Sequence, residues 1–380
     1  MNAAVEFDAI VIGAGMAGAS VAYFLAPHAR VLVLEREAHA GVHSTGRSAA
    51  LFSETYGSAQ VRALTRASRP FLDQPPEGFA QHPILSPRGA LVVGGTGDVA
   101  AVQANHAAMR LFTADLQLLD AQQVRALVPV LRPGFADVGL LEPRAADIDV
   151  NELHQGFLRG LRARGGQLLF DAEATAIERV AGDWEVRAGD RAFRAPLLLD
   201  AAGAWADRVA TLAGVATLGL EPRRRSAFMF APPDGVATAH WPFVTAADES
   251  FYFKPDAGLL LGSPANADPV APHDVVPEEF DIALGIHRIE QATTMTIHRP
   301  TRSWAGLRSF VADGDLVGGF APGAEGFFWV AAQGGYGIQT SAAMGEACAC
   351  LALGRALPSP LVDAGLSAAM LAPRAAAPAT

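Results

Sequence analysis

The sequence predicts an α/β fold assembled around a dinucleotide-binding unit, in two domains or in one large domain carrying an insertion. Three observations predict it. A chain of 380 residues is longer than one small core can organise. Residues 8–35 run strand, glycine triplet, helix, strand and terminal acid in that order. Hydrophobic residues reach 51% with aromatics at 8%, so Ala, Val and Leu supply enough apolar mass for a buried core.

Asp8 to Ile12 is a short apolar run with branched residues, the pattern of a buried parallel strand. Gly13-Ala-Gly15-Met-Ala-Gly18 follows at once. Gly13 permits the tight turn, Gly15 lets the backbone approach a pyrophosphate, and Gly18 lets the next helix sit close to the strand. Met16 to Leu25 reads as that helix, with its N-terminal N–H groups and dipole toward the diphosphate. Arg30 to Leu34 returns as a second strand, and Glu35 ends it where a carboxylate accepts from a ribose hydroxyl. Instead of the crossover helix that an NAD domain would carry next, the chain continues Ala40-Gly-Val-His-Ser-Thr-Gly-Arg-Ser-Ala-Ala50. That small-residue loop offers N–H groups and hydroxyls at close range, which suits the ribityl chain and isoalloxazine of FAD; a plain surface loop is the alternative.

Further along, Asp149 to Arg164 is helical, with Leu153, Phe157, Leu158 and Leu161 on one stripe. Gln167–Phe170, Ala174–Val180, Trp184–Arg187 and Ala192–Leu199 read as short strands, and Gly203 and Trp205 follow the last of them. Strand patterns of different polar content occupy roughly 53–95 and 219–310. Leu316–Phe320 and Phe327–Val330 are strands, and Gly334-Gly335 open a helix ending near Leu353. A glycine pair before a helix is either an anion site near the flavin or a simple cap. The Ala/Pro-rich tail from Ala372 to Thr380 is expected to fray.

Composition excludes several functions. Net charge is −10 without a Lys/Arg run that could neutralise successive phosphates, so nucleic acid is not an expected partner. The nearly uncharged apolar stretch Ala195 to Ala206 is interrupted by Asp200 and too short to span a bilayer. With no leader pattern after Met1, the expected location is the cytoplasm. Ten scattered histidines without His-Glu-x-x-His, and no Cys-x-x-Cys, give no metal site. Cys348 and Cys350 are two apart on a helix and read as packing residues, so FAD is expected to be held noncovalently. Lys254, the only lysine, leaves no phosphate-binding Gly-Lys-Ser/Thr loop and is expected to face solvent on an alternating strand. No Gly-x-Ser-x-Gly elbow is present.

Taken together, Gly13–Gly18, Glu35-Arg36, His43-Ser44-Thr45-Gly-Arg47-Ser48, Asp200-Ala-Ala-Gly203-Ala-Trp205, Trp304-Ala-Gly-Leu-Arg308, Glu325-Gly-Phe-Phe-Trp-Val330 and Gly334-Gly335-Tyr-Gly337-Ile338-Gln339 resemble the FAD-dependent D-amino-acid oxidase and glycine oxidase superfamily, within it most nearly the bacterial D-arginine dehydrogenase branch. The resemblance runs from about residue 7 to 350. It implies a Rossmann-type FAD-binding domain (1–52, 145–218 and 311–371) with an inserted antiparallel-sheet substrate domain (53–144 and 219–310). It implies cofactor contacts at Gly13, Gly15, Gly18, Glu35, Arg36, Ser44, Thr45, Arg47, Ser48, Ala49, Ala174 (beside the adenine), Gly203, Trp205, Gly334, Gly337, Ile338 and Gln339. Arg225 and Arg308 match the arginines that grip the substrate carboxylate, a task suited to a planar two-pronged donor. Tyr56, on a mobile lid, and Tyr252 match active-site tyrosines, and the Gly335 carbonyl matches the acceptor of the α-amino group.

The side-chain pocket is expected at Leu51, Ser53, Ala90, Phe243 and Thr245. Leu51 replaces a histidine, Ala90 a glutamate that binds guanidinium, and Phe243 and Thr245 a methionine and a valine of that branch. The expected reaction is oxidative deamination of D-amino acids by hydride transfer from Cα to flavin N5, with neutral or apolar side chains preferred and electrons leaving to a quinone or other carrier. Oxidation of a 2-hydroxy acid or an N-methyl amino acid of the glycine/sarcosine type is the alternative, because clamp and flavin would be the same. Glu54, beside Tyr56, is the one carboxylate expected to be able to replace the missing glutamate.

Overall fold

The computed structural model describes residues 4–113 and 115–374. Its nucleotide-side sheet has six strands in the order Gln167–Leu169, Val31–Leu34, Ala9–Ile12, Leu197–Asp200, Phe327–Ala331 and Val317–Phe320. The first five pair in parallel and the last closes the edge antiparallel. Both faces are covered, which is why these strands read as continuous apolar runs. Ala9, Val11, Val31, Val33, Phe328 and Val330 pack on one side with the helices Met16–Leu25 and Ser341–Ala352. Ile10, Ile12, Leu32, Leu34, Phe327 and Trp329 pack on the other with Trp184, Val186 and Phe193 of a four-stranded sheet.

A second, nine-stranded sheet carries the other core, with Trp241, Phe228, Phe230 and Phe253 fully buried. Its strands are antiparallel except for one pair, Phe243–Ala246 beside Ala90–Gly94. These two strands come from the two separate stretches of chain expected in the substrate domain. No hairpin joins them, so nothing imposes the antiparallel sense.

Four local expectations are corrected. The stretch 53–95 is not all strand: Ala59–Asp73 is a 15-residue helix. Ser58 caps it by accepting from the Val61 amide, and Val61 and Leu64 join the nucleotide-side core rather than the core of the second sheet. Ala192–Leu199 is two strands, Arg191–Ala195 and Leu197–Asp200, in different sheets. Pro196 lies at the break, lacking the N–H a continuous ladder would need. Gly334 and Gly335 do not open the C-terminal helix; turns occupy 334–340 and the helix starts at Ser341. In the tail, residues 375–380 lie outside the described residues, while Arg374 is anchored to Asp313 at 2.6 Å.

Candidate active site

The sharp turn after Ala9–Ile12 depends on missing side chains. Gly13 sits at φ +100°, and a Cβ there would stand 2.6 Å from the Ala201 carbonyl. At Gly18 a Cβ would meet the Gly13 carbonyl at 1.9 Å, so this glycine holds the helix against the strand and does not line the cleft. Glu35, buried at the end of its strand, accepts from the Ala14 amide through Oε2 (2.9 Å) and from Glu37 through Oε1 (3.0 Å). The Thr45 hydroxyl accepts from the Met16 amide at 3.0 Å, tying the small-residue loop to the helix start. Ser44 donates to the Leu307 carbonyl. Arg47 spends its guanidinium on the Val42, Val275 and Ala305 carbonyls and on Asp274.

A cleft runs along these residues. Gly13, Gly15 and Glu35 line one end, Ser44, Thr45, Arg47, Ser48, Ala49, Gly203 and Trp205 its walls, and Gly334, Gly337 and Ile338 the far side. Gly15 would place a Cβ no nearer than 3.6 Å to anything but the cleft, and Gly203 opens on free space, so both leave backbone room for a bound chain. An acceptor for the ribose, a glycine floor and a hydroxyl-bearing loop fit the parts of FAD in sequence.

Besides Gly18, three of the expected cofactor contacts stand elsewhere. Ala174 begins a strand paired with Asp183–Ala188 and does not line the cleft; the nearby link is Ala172, whose amide donates to the Glu35 carbonyl. Arg36 lies with its Cζ 4.0 Å from the Trp205 ring centroid and bonds Glu37 at 2.8 Å, behind the wall it steadies. Gln339 is buried between the Ser53 amide and the Thr65 hydroxyl and faces the second cavity.

That second cavity, about 490 Å³, abuts the cleft, and Ser48, Ala49, Arg225, Tyr252, Arg308, Gly335 and Ile338 line both. Arg225 and Arg308 reach this junction from neighbouring strands, Glu221–Phe230 and Arg302–Phe310. Neither guanidinium has an acidic partner among the described residues. Arg225 donates through Nε to the Asn266 carbonyl at 2.5 Å. Burial first, and the Arg308 guanidinium second, hold the Arg225 guanidinium below its ordinary range. Arg308 neighbours the Tyr56 and Tyr252 hydroxyls. A Cβ at Gly335 would stand 2.9 Å from the Arg308 Cζ, so the glycine is what lets the guanidinium lie on the backbone. Two like charges held side by side and half-buried call for an anion, and a carboxylate with two oxygens meets that need.

Tyr56 stands in a turn, its ring 5.0 Å from that of Tyr336. Burial, then Tyr56, pushes the Tyr336 hydroxyl up to about 12. Phe243 stacks on Tyr252 at 5.1 Å, and Leu51, Ser53, Ala90 and Thr245 join the lining as expected.

A model of the DAO family, FAD dependent oxidoreductases, matches residues 8–351. The chain belongs to that family. The sarcosine oxidase subunit beta of Rhizobium meliloti (strain 1021) is 26% identical over 328 residues, covering 82% of this chain and 76% of that protein. In structure, this flavoenzyme is similar to glycine oxidase from Geobacillus kaustophilus (TM-score 0.79, 21% identity, 92% and 95% of the two chains). It is also similar to L-proline dehydrogenase from P. horikoshii (TM-score 0.82, 19% identity, 94% and 96%). The family and its FAD are thus as the sequence indicated. The finer placement is corrected: the similarity is to sarcosine and glycine oxidases and does not single out the D-arginine dehydrogenase branch.

Two residues of this flavoenzyme departed from their sequence reading, and one escaped it. Lys254 is not solvent-facing: it is 5% exposed and its Nζ pairs with Asp147 at 2.7 Å, away from both cavities. Glu54 does not enter the substrate cavity and turns toward Arg69 at 3.6 Å. Glu142, by contrast, lines it, 3% exposed, directly across the strand pair from Ala90. The pocket therefore holds a carboxylate beside the residues expected there. A carboxylate comes from the adjacent strand, and no motif marks it; the only sequence signal is an acid ending the apolar run Val138–Leu141. No helix among the described residues is long and apolar enough to cross a membrane.

Proposed function

We propose that this FAD-dependent oxidoreductase oxidises the carbon–nitrogen bond of an α-amino acid, and that N-methyl or other secondary amino acids of the sarcosine/glycine type suit it better than primary D-amino acids. One observation carries the reading: Arg225 and Arg308, half-buried and without acidic partners among the described residues, meet Tyr56 and Tyr252 where the nucleotide cleft opens into the substrate cavity. The relatives' names support the choice of amine over the D-amino-acid reading.

In this scheme Arg225 and Arg308 hold the carboxylate through paired donors and so fix the adjoining carbon. Tyr252, stacked on Phe243, walls one side, and Tyr56 with Tyr336 covers the other. The Gly335 carbonyl accepts from the amine, which orients the nitrogen lone pair. FAD, when bound along Gly13–Gly18, Glu35 and Ser44–Ala49, supplies the two-electron acceptor that takes hydride from the carbon beside nitrogen. Water then hydrolyses the released imine to a carbonyl compound and an amine or ammonia. The electrons leave to a quinone or other carrier: Lys254 is engaged with Asp147 and is not placed to assist oxygen.

Anaerobic addition of N-methyl amino acids, glycine, D-amino acids and 2-hydroxy acids to the yellow protein tests this. Bleaching by N-methyl amino acids with the highest kcat/KM is expected. Bleaching by 2-hydroxy acids alone, or by no compound of the set, overturns the reading. Fast peroxide formation under air overturns the choice of acceptor.

A further inference from the structure

The substrate cavity is much larger than glycine or sarcosine requires. At about 490 Å³ it lies in the range that encloses drug-sized ligands. Its floor is the second sheet, and the register places the lining side chains in two rows. Tyr252, Thr245, Val92 and Leu140 form one row and Phe243, Ala90 and Glu142 the other, each residue paired across to the next strand. Glu142 is thus three strands along the floor from Tyr252, on the side away from the arginine pair.

Its surroundings are unusual for a buried carboxylate. Oε2 accepts from the Ser53 and Thr55 hydroxyls, both at 2.7 Å, and Oε1 from the Glu54 amide at 2.7 Å. All three donors are neutral, and no cation of the described residues pairs with it. Burial outweighs the three donors and raises the carboxyl above its ordinary range. The Ser53 hydroxyl, the Glu54 amide and the Thr55 hydroxyl come from three consecutive residues and serve one side chain, so its orientation is fixed by the same turn that carries Tyr56. The other charged residues lining this cavity besides the clamp are Arg62, which donates to the Gly57 carbonyl, and Glu249, which is exposed. A buried carboxylate held by three neutral donors beside an open volume is an acceptor awaiting a cation.

We infer that Glu142 is a specificity residue: the carboxylate at Arg225 and Arg308 belongs to a substrate whose side chain or N-substituent carries a distal ammonium or guanidinium group, and Glu142 binds that group. The inference rests on the proposed amino-acid reaction and narrows its substrate class to basic amino acids and their N-alkyl derivatives. Tyr56 then closes between the two charged contacts, and the apolar residues Leu51, Ala90 and Phe243 cover the methylene chain between them.

The test is anaerobic flavin reduction with matched pairs that differ in the distal charge: lysine against norleucine and arginine against citrulline, in both enantiomers and as N-methyl derivatives. Each pair yields a ratio of kcat/KM, cationic over neutral. In the unmodified protein at least one pair is expected to give a ratio of about thirty or more, and Glu142→Gln to bring it to near one, as removal of one partner of a buried charge pair does. Retained flavin content and melting temperature show that Glu142→Gln folds; should it not fold, the unmodified protein's ratio decides alone. Ratios near or below one in the unmodified protein, or a high ratio that Glu142→Gln leaves unchanged, overturn the inference and leave the proposed function standing. Failure of every amino acid to reduce the flavin overturns the proposed function, and this inference with it.

Discussion

The nucleotide half and the substrate half of the molecule each bury a carboxyl group without a cationic partner, and they use it differently. Asp200 ends the central strand Leu197–Asp200, is 0% exposed, and accepts only from the Ala202 amide at 3.1 Å. It lines neither of the two cavities described above; its work is to shape the turn that brings Ala201–Trp205 to the cleft. Glu142 ends a strand as well, yet takes three donors and faces open volume. In one half a buried acid is a backbone device, and in the other it is part of a binding surface. What separates them is the space beside the group, which sequence does not display.

The largest expected effects fall on the substrate half. Arg308→Met and Arg225→Met each leave the other guanidinium without its share of the carboxylate, and kcat/KM should fall by about 2–4 kcal/mol equivalent, chiefly through KM. Anaerobic flavin reduction against substrate concentration measures this, and near-wild-type values in both variants would remove the clamp. Next comes Lys254→Met, which strands Asp147 with Arg88 at 2.7 Å as its remaining partner. Stability should drop by about 1–3 kcal/mol, less than for an acid left wholly unpaired. A denaturant midpoint equal to the parent's would show that the buried ion pair contributes nothing.

Asp200 yields a smaller effect with a definite sign. Burial pushes its carboxyl well above the ordinary 3.8, so the folded state favours the neutral form. Below that ordinary value both states hold the proton and its stabilising contribution is full. As pH rises toward the raised folded value the unfolded chain ionises and the native state does not, so stability falls by up to about 1.4 kcal/mol per pH unit. Asp200→Asn cannot ionise. Its melting temperature relative to the parent should climb as pH rises above 4, and parallel pH profiles would contradict the assignment. The smallest expected effect is none at all: acid precipitation should release FAD from the protein and from Cys348→Ser alike, because Cys348 is sealed in the helix Ser341–Ala352 and burial raises its thiol. Yellow colour retained in the pellet would show a covalent link.

The same contrast explains what could be read from residues alone. The glycines, Glu35 and Ser44–Ala49 lie within a few dozen residues and act through backbone shape, so their spacing is their structure. Ala174, whose role rests on likeness with no local chemistry behind it, does not line the cleft. The substrate cavity joins Ser53 to Glu142 and Arg225 to Arg308, contacts set by strand register across two inserted stretches. A cross-strand neighbour such as Glu142 opposite Ala90 has no sequence spacing to betray it. Lys254 likewise read as exposed from strand alternation, which shows which face a residue is on but not that Asp147 waits there.

The central claim is that a substrate carboxylate, gripped where the two cavities meet, positions an amine for oxidation by FAD. The direct measurement takes whichever N-methyl amino acid bleaches the flavin best and compares it, without oxygen, with the same amine lacking the carboxylate. The account predicts saturable bleaching by the acid and a kcat/KM lower by about thirty-fold or more for the decarboxylated amine. Equal kcat/KM for the two would show that Arg225 and Arg308 do not hold the substrate, and would contradict the account.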